Sequence, residues 1–261
     1  MLRWLTERRR RHLLEAPLSP AWRELIEQRT PSFEILDAGE RTRLAELVQV
    51  FVAEKRWEAC GGLELTDEIR VTIAAMACVM LLGRDHDLFR DVASILVYPT
   101  AVKLPSAGVF VRNTPRRAVH AGTTSGVRLP DGPIVLAWDA VLDDATTLTD
   151  GANIVVHVLA HAIDTLDGIE DGTPPLPRAA RAAWTSAMQS AFDAQREHAS
   201  GFLREQAADS PAEYFAVAAE SFFERPRQLA SALPDVYDVL RAFFALDLAP
   251  RAGLEGAPYR S

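Results

Sequence analysis

His157 and His161 stand four residues apart in the segment Asn153-Ile-Val-Val-His-Val-Leu-Ala-His-Ala-Ile-Asp-Thr-Leu-Asp-Gly168. On an α-helix that spacing stacks the two imidazoles one turn apart, with Cβ atoms about 5–6 Å from each other. Two imidazole nitrogens so placed can meet one zinc ion, which binds histidine nitrogen at about 2.0–2.1 Å and in catalytic sites takes three protein ligands with one position left open. A third ligand must then come from elsewhere in the chain. Of the six histidines, these two alone are paired in this way. The pair also reads as two structural histidines satisfied inside a core. Ile154, Val155, Val156, Leu159 and Ile163 make the helix a buried one, where an imidazole must find a polar partner or a metal. That context favours the metal.

Asp150, Gly151 and Asn153 supply a start for this helix, and Asp167-Gly168 an end. Upstream, residues 19–29, 38–56 and 66–82 carry apolar positions at helical spacing, for example Leu44, Leu47, Val48, Phe51 and Val52, and predict three helices. Between about 93 and 138 the character changes to short β-branched runs, Ser94–Tyr98, Gly108–Val111 and Pro133–Trp138, separated by Gly, Pro, Asn and Asp. These predict a small sheet. After Asp139 the helical pattern returns, with helices expected over about 152–166, 178–199, 211–224 and 233–246, punctuated by Pro177, Pro211 and Pro226. No repeat or Gly/Ser-rich linker divides the chain. The expected class is α+β, mostly helical, one compact unit with a single small sheet and an N-terminal helical layer.

Acidic residues outnumber basic ones, 36 against 28, for a net charge of −8, which argues against a direct nucleic-acid binder that must neutralise phosphates. The longest apolar run, Val71 to Leu82, is too short for the about 20 residues that a bilayer span needs. The arginines at 8–11 are not followed by an apolar stretch of signal-peptide length, and they read as the solvated face of a first helix bearing Leu2, Leu5, Leu13 and Leu14. Two cysteines, Cys60 and Cys78, make no disulfide framework, and both fall in helix-like segments as small buried thiols. A reducing, cytoplasmic setting is expected.

Several blocks carry a family resemblance in the same order: Trp57 to Ala75, Ser94 to Pro99, Gly132 to Asp139, the His157/His161 helix, and Pro211-Ala-Glu-Tyr-Phe-Ala-Val-Ala-Ala-Glu-Ser-Phe-Phe-Glu-Arg-Pro226. Together they resemble the Mlc titration factor A (MtfA) family of zinc metallopeptidases, from the arginine-rich start to about residue 248. That family's zinc domain is similar in turn to the catalytic domain of anthrax lethal factor, a gluzincin in which two helix histidines and a downstream glutamate hold the metal. The resemblance implies a zincin-like region over 91–248, after a helical layer at 1–90 and before a tail at 249–261, all within a single domain of 1–261. It implies one zinc per chain and makes Glu213 the third ligand. On residues alone, Ser210-Pro211-Ala212-Glu213 is also a capping box, with the glutamate serving a backbone donor. Asp164 and Asp167 are competing ligands or partners that orient an imidazole. Glu220 falls in the same group.

The chain departs from the family pattern twice. The motif is H-E-x-x-H, whose glutamate takes a proton from the zinc-bound water. Here that position is Val158, with Val156, Leu159 and Ala160 equally inert around it. The family also carries a tyrosine seven residues before the ligand glutamate, where its hydroxyl stabilises the oxyanion; that position is Gln206. A general base is worth about 10²- to 10⁴-fold and an oxyanion donor about 10²- to 10³-fold. The expectation is a zinc-holding family member with lost or strongly reduced peptidase activity and a binding or regulatory role. An active zinc-dependent peptidase or aminopeptidase with Glu220, Asp164 or Asp167 as substitute base is the first alternative. A metal-free helical binding protein is the second. The family name implies a transcriptional regulator, or a peptide, as partner.

Overall fold

The computed structural model describes residues 2–103, 123–124, 126–128, 133–197 and 201–251. Helices α1 (Leu2–Leu14), α2 (Pro20–Arg29) and α3 (Ala38–Glu54) open the chain, followed by strand β1 (Arg56–Ala59), helix α4 (Asp67–Cys78) and strand β2 (Ser94–Tyr98). Strands β3 (Val102–Lys103), β4 (Thr123–Thr124), β5 (Gly126–Arg128) and β6 (Ile134–Ala137) come next. Helices α5 (Trp138–Thr146), α6 (Ile154–Asp164), α7 (Arg178–Glu197), α8 (Pro211–Glu224), α9 (Pro226–Ala232) and α10 (Pro234–Phe244) complete the order. The class is α+β and mostly helical, as expected.

Local chemistry starts these helices where the sequence places them. The Ser19 hydroxyl accepts from the Trp22 amide at 3.1 Å with Pro20 in the first turn, Asp37 and Glu40 form a reciprocal capping box on α3, and Thr66 caps α4. Each cap satisfies an amide that the helix itself cannot bond. Arg10 clamps α1 to α3 through two hydrogen bonds of 2.8 Å to Glu54.

The main sheet has the order β1-β2-β6-β5, with β1, β2 and β6 parallel and β5 antiparallel to β6. A separate antiparallel pair joins β3 to β4. Strand β1, inside the segment expected as a helical layer, corrects the expectation that the helix over 38–56 runs to 56. Arg56–Ala59 has no alternation of burial to reveal it, and its pairing with Ser94–Val97 makes it a strand. Cys60 follows β1 rather than lying in a helix, whereas Cys78 is buried at the end of α4. The expected strand at 133–138 gives way at Trp138 to α5, and Pro226 opens the short α9 rather than merely ending α8. The expected strand at 108–111 lies outside the described residues.

One continuous hydrophobic cluster runs from Ile26 to Leu248. Helix α4 is buried at its heart, with Val71, Ile73, Met76 and Cys78 inaccessible. Helix α8 is buried from Ala212 to Glu224, because Phe215 packs with Trp184 of α7 while Phe222 lies tilted against Tyr237 and stacked on Phe244 of α10, and Phe223 packs edge-on with Phe244. Helix α6 is held on two sides. A Cβ at Gly126 of β5 would come within 2.6 Å of Ile154 and 2.9 Å of Val158, so glycine allows the sheet and helix to touch. Gly172, at φ +80°, lies so close to the start of α8 that a Cβ would meet the Pro211 carbonyl at 2.4 Å. Its amide donates to Asp164 at 2.9 Å and its carbonyl accepts from Trp184 at 3.1 Å. One glycine thus ties the end of α6 to α7 and α8.

Candidate metal centre

Helix α6 begins at Asn153, whose side-chain oxygen accepts from the Val156 amide at 3.0 Å. Three carboxylates converge on the same helix start. Asp144 accepts from the Ile154 amide at 2.8 Å, Glu220 from the Asn153 amide at 2.5 Å, and Glu224 from the Gly151 amide at 3.2 Å. Negative charge there faces the positive end of the helix dipole. Burial pushes the Glu224 carboxyl well above its ordinary range, with Glu220, Asp150 and Asp144 adding to the effect against the Asn153 hydrogen bond.

One turn further along, the imidazoles of His157 and His161 meet with ring centroids 4.9 Å apart and Nε2 atoms 3.3 Å apart. The first turn of α8 brings Glu213 onto them. Its Oε2 lies 3.5 Å from His157 Nε2 and its Oε1 3.4 Å from His161 Nε2. Tetrahedral zinc with bonds of about 2.0–2.1 Å holds ligand atoms about 3.3 Å from one another, so these separations suit a single ion. Glu213 Oε1 is buried without a hydrogen-bond partner, as a carboxylate oxygen reserved for a cation would be. Two neutral imidazoles and one carboxylate are a zinc donor set. The residues fit the metal. Ser210 does cap α8, accepting from the Glu213 amide at 3.2 Å, while the Glu213 side chain turns towards the histidines.

The far nitrogens of both rings face acids. Glu220 Oε1 lies 2.8 Å from His157 Nδ1, and Glu170 Oε1 lies 3.1 Å from His161 Nδ1, an ion-pair contact that is not aligned as a hydrogen bond. A carboxylate beside Nδ1 favours the proton there and leaves the Nε2 lone pair for a metal. Arg204 in turn binds Glu220. Burial by itself would depress His161, but Glu170 and Glu213 outweigh it and raise the imidazole to about 9 in the metal-free site. The converse holds for Glu213, which burial would raise and which His161, His157 and Gln206 bring down to about 2.

Of the residues singled out in the sequence, His157, His161, Glu213, Glu220 and Gln206 come together. Asp164 and Asp167 do not reach an imidazole. Asp164 holds the Gly172 amide, and burial raises its carboxyl to about 7 against that hydrogen bond. Asp167 is outside the core and accepts from the Ile169 amide at 3.1 Å. Val158 is buried, with its side chain towards Gly126 of β5. Glu170 and Arg204 had no sequence signal, because they belong to a polar turn and to the approach to a short helical turn with no fixed spacing to the histidines.

The sequence profile of the family described as glucose-regulated metallo-peptidase M90 matches residues 4–245. The chain belongs to that family. It is similar to the protein named Mlc titration factor A of Yersinia enterocolitica, 30% identical over 264 residues that cover 95% of this chain and 92% of the relative. It is likewise 30% identical to Mlc titration factor A of Edwardsiella ictaluri, over 83% of this chain and 84% of that one. An uncharacterized protein of Synechocystis is 29% identical over 94% of this chain and 90% of its own. Family membership implies a metal. No helix among the described residues is long and apolar enough to cross a membrane.

Proposed function

We propose that this M90 protein holds one zinc ion through His157, His161 and Glu213 but is degenerate for peptide hydrolysis, and acts through binding. When bound, zinc supplies Lewis acidity and lowers the pKa of a coordinated water. Turnover also needs a side chain that accepts a proton beside the metal. The observation that carries the proposal is Val158, an apolar side chain buried against Gly126 at the position after His157 where the H-E-x-x-H motif has its base. The acids considered as substitutes have other work. Glu220 sits behind His157 on the Nδ1 side and holds the Asn153 amide, Asp164 holds Gly172, and Asp167 closes a turn. Gln206, in place of the tyrosine, is a weaker hydrogen-bond donor.

The relatives' name describes titration of Mlc, and by extension the partner of this chain is a transcriptional regulator or a peptide segment, met in the cytoplasm. Two free cysteines agree with a reducing compartment. Elemental analysis with a chromogenic peptide-anilide assay tests the function. About one zinc per chain is expected, with turnover reduced by at least about 10²-fold relative to family members that keep the glutamate. Cleavage at rates ordinary for zinc peptidases, abolished by chelation, would overturn the proposal and return the question to a substitute base.

A further inference from the structure

We propose that Gln206 is a fourth protein ligand, its side-chain carbonyl closing the coordination position that a peptidase keeps open. The inference rests on the zinc reading above and adds to it what fills the remaining site on the metal.

Gln206 is 4% exposed, and its terminal amide lies inside the cluster of ligand atoms. The amide nitrogen is 2.6 Å from Glu213 Oε2 and 3.4 Å from His157 Nε2. The second is the separation at which ligands of one tetrahedral ion stand from each other, and the first is a hydrogen bond to a ligand oxygen. The short helical turn Glu205–Ala208 holds the residue in place, with the Ala207 amide bonded to Arg204 at 2.9 Å and the Asp209 amide bonded to the Gln206 carbonyl at 3.0 Å. Without a cation, the amide turns its NH₂ inwards, because donors suit the Glu213 carboxylate. A cation reverses that preference. A half-turn of the terminal amide exchanges the NH₂, which has no lone pair to give, for the carbonyl oxygen, which has two.

Little holds the amide the other way. The outward oxygen has Arg204 at 3.5 Å, the limit of a hydrogen bond, and the main partner of that guanidinium is Glu220. Zinc polarises carbonyl oxygens, and a primary carboxamide presents the same oxygen as a peptide bond. Gln206 is therefore a tethered mimic of the substrate amide, present at the high effective concentration of an intramolecular group. A site closed in this way binds metal and excludes substrate, which agrees with the loss of a base at Val158.

The test uses the full-length chain loaded with zinc or cobalt(II), as wild type, Gln206→Ala and Gln206→Ser, with His157→Ala/His161→Ala as the metal-free reference. Circular dichroism checks folding, and the serine variant keeps the pocket polar should the alanine variant fail to fold. The wild-type cobalt spectrum is expected not to change with acetohydroxamate, whereas the spectra of the variants do. Zinc affinity should fall at least about 10-fold in the variants while stoichiometry at saturation stays near one. If acetohydroxamate changes the wild-type spectrum as readily as that of the variants, Gln206 is not a ligand, although the zinc reading stands. If the wild type retains no more metal than the double-histidine variant, the zinc reading fails and this proposal with it.

Discussion

The two ends of the imidazole pair make a sharp contrast. On the Nδ1 side stand Glu220 with Arg204 and the Asn153 amide behind it, and Glu170 beside His161. On the Nε2 side the corresponding equipment is Glu213, the Gln206 amide and, one residue along α6, the inert Val158. The first set orients ligands and fixes their protons. The second set is where proton transfer and oxyanion stabilisation would take place. Under the proposed function, the first set would hold the metal's ligands while the second would lack the groups that react on the metal.

The most severe way to break this contrast is to remove the nitrogens themselves. His157→Ala/His161→Ala is expected to reduce zinc from about one per chain to none by elemental analysis, and Glu213→Ala to weaken it, while circular dichroism stays native, since the core around α4 does not depend on the metal. Full zinc occupancy in the double variant would sink the ligand assignment. Next in size is Glu220→Ala. It leaves Arg204, the Asn153 amide and His157 Nδ1 without their shared acceptor, so urea unfolding should show a loss of about 3 kcal/mol, and zinc affinity should fall about 10- to 100-fold. An unchanged unfolding midpoint would mean that the Nδ1 side is ornament.

Val158→Glu probes the other side. Peptidase activity is expected to rise above the wild type, yet only in part, because Gln206 remains; Val158→Glu/Gln206→Tyr should exceed it. The contact with Gly126 leaves little room for a carboxylate, so thermal unfolding should be lowered in both variants. No gain in either would show that the base position alone does not limit turnover. An effect confined to the pH profile concerns Asp164, whose carboxyl rises from 3.8 to about 7 through burial. A folded-state carboxyl raised in this way retains a proton that the unfolded chain has already released. Its contribution therefore falls as pH rises from about 4 to about 7, by at most about 1.4 kcal/mol per pH unit. Asp164→Asn keeps an acceptor for Gly172 and should flatten that decline in unfolding free energy; a wild-type profile no steeper than that of the variant would contradict it.

Local signals marked much of this molecule. The His157/His161 spacing, the Asn153 start of α6, the Ser210-Pro211 start of α8 and the apolar periodicity of α3 and α4 are written in neighbouring residues, because caps and helical faces depend on positions within about a turn of each other. The sequence also determined that Val158 offers no proton acceptor, since that depends on residue type alone. What lay beyond it required distant partners. Arg56–Ala59 is a strand because Ser94–Val97 supplies its hydrogen bonds, and without that pairing its four residues carry no alternation. Glu170 and Arg204 acquire their places only when the turn after α6 and the approach to α8 fold back onto the histidines. Asp164 looked like a partner for His161 three residues away, but Gly172 takes its oxygen instead. The convergence of His157, His161, Glu213 and Gln206 is likewise decided by the packing of α6 on α8, since a side chain's type is local whereas the atoms it faces are set by the whole core.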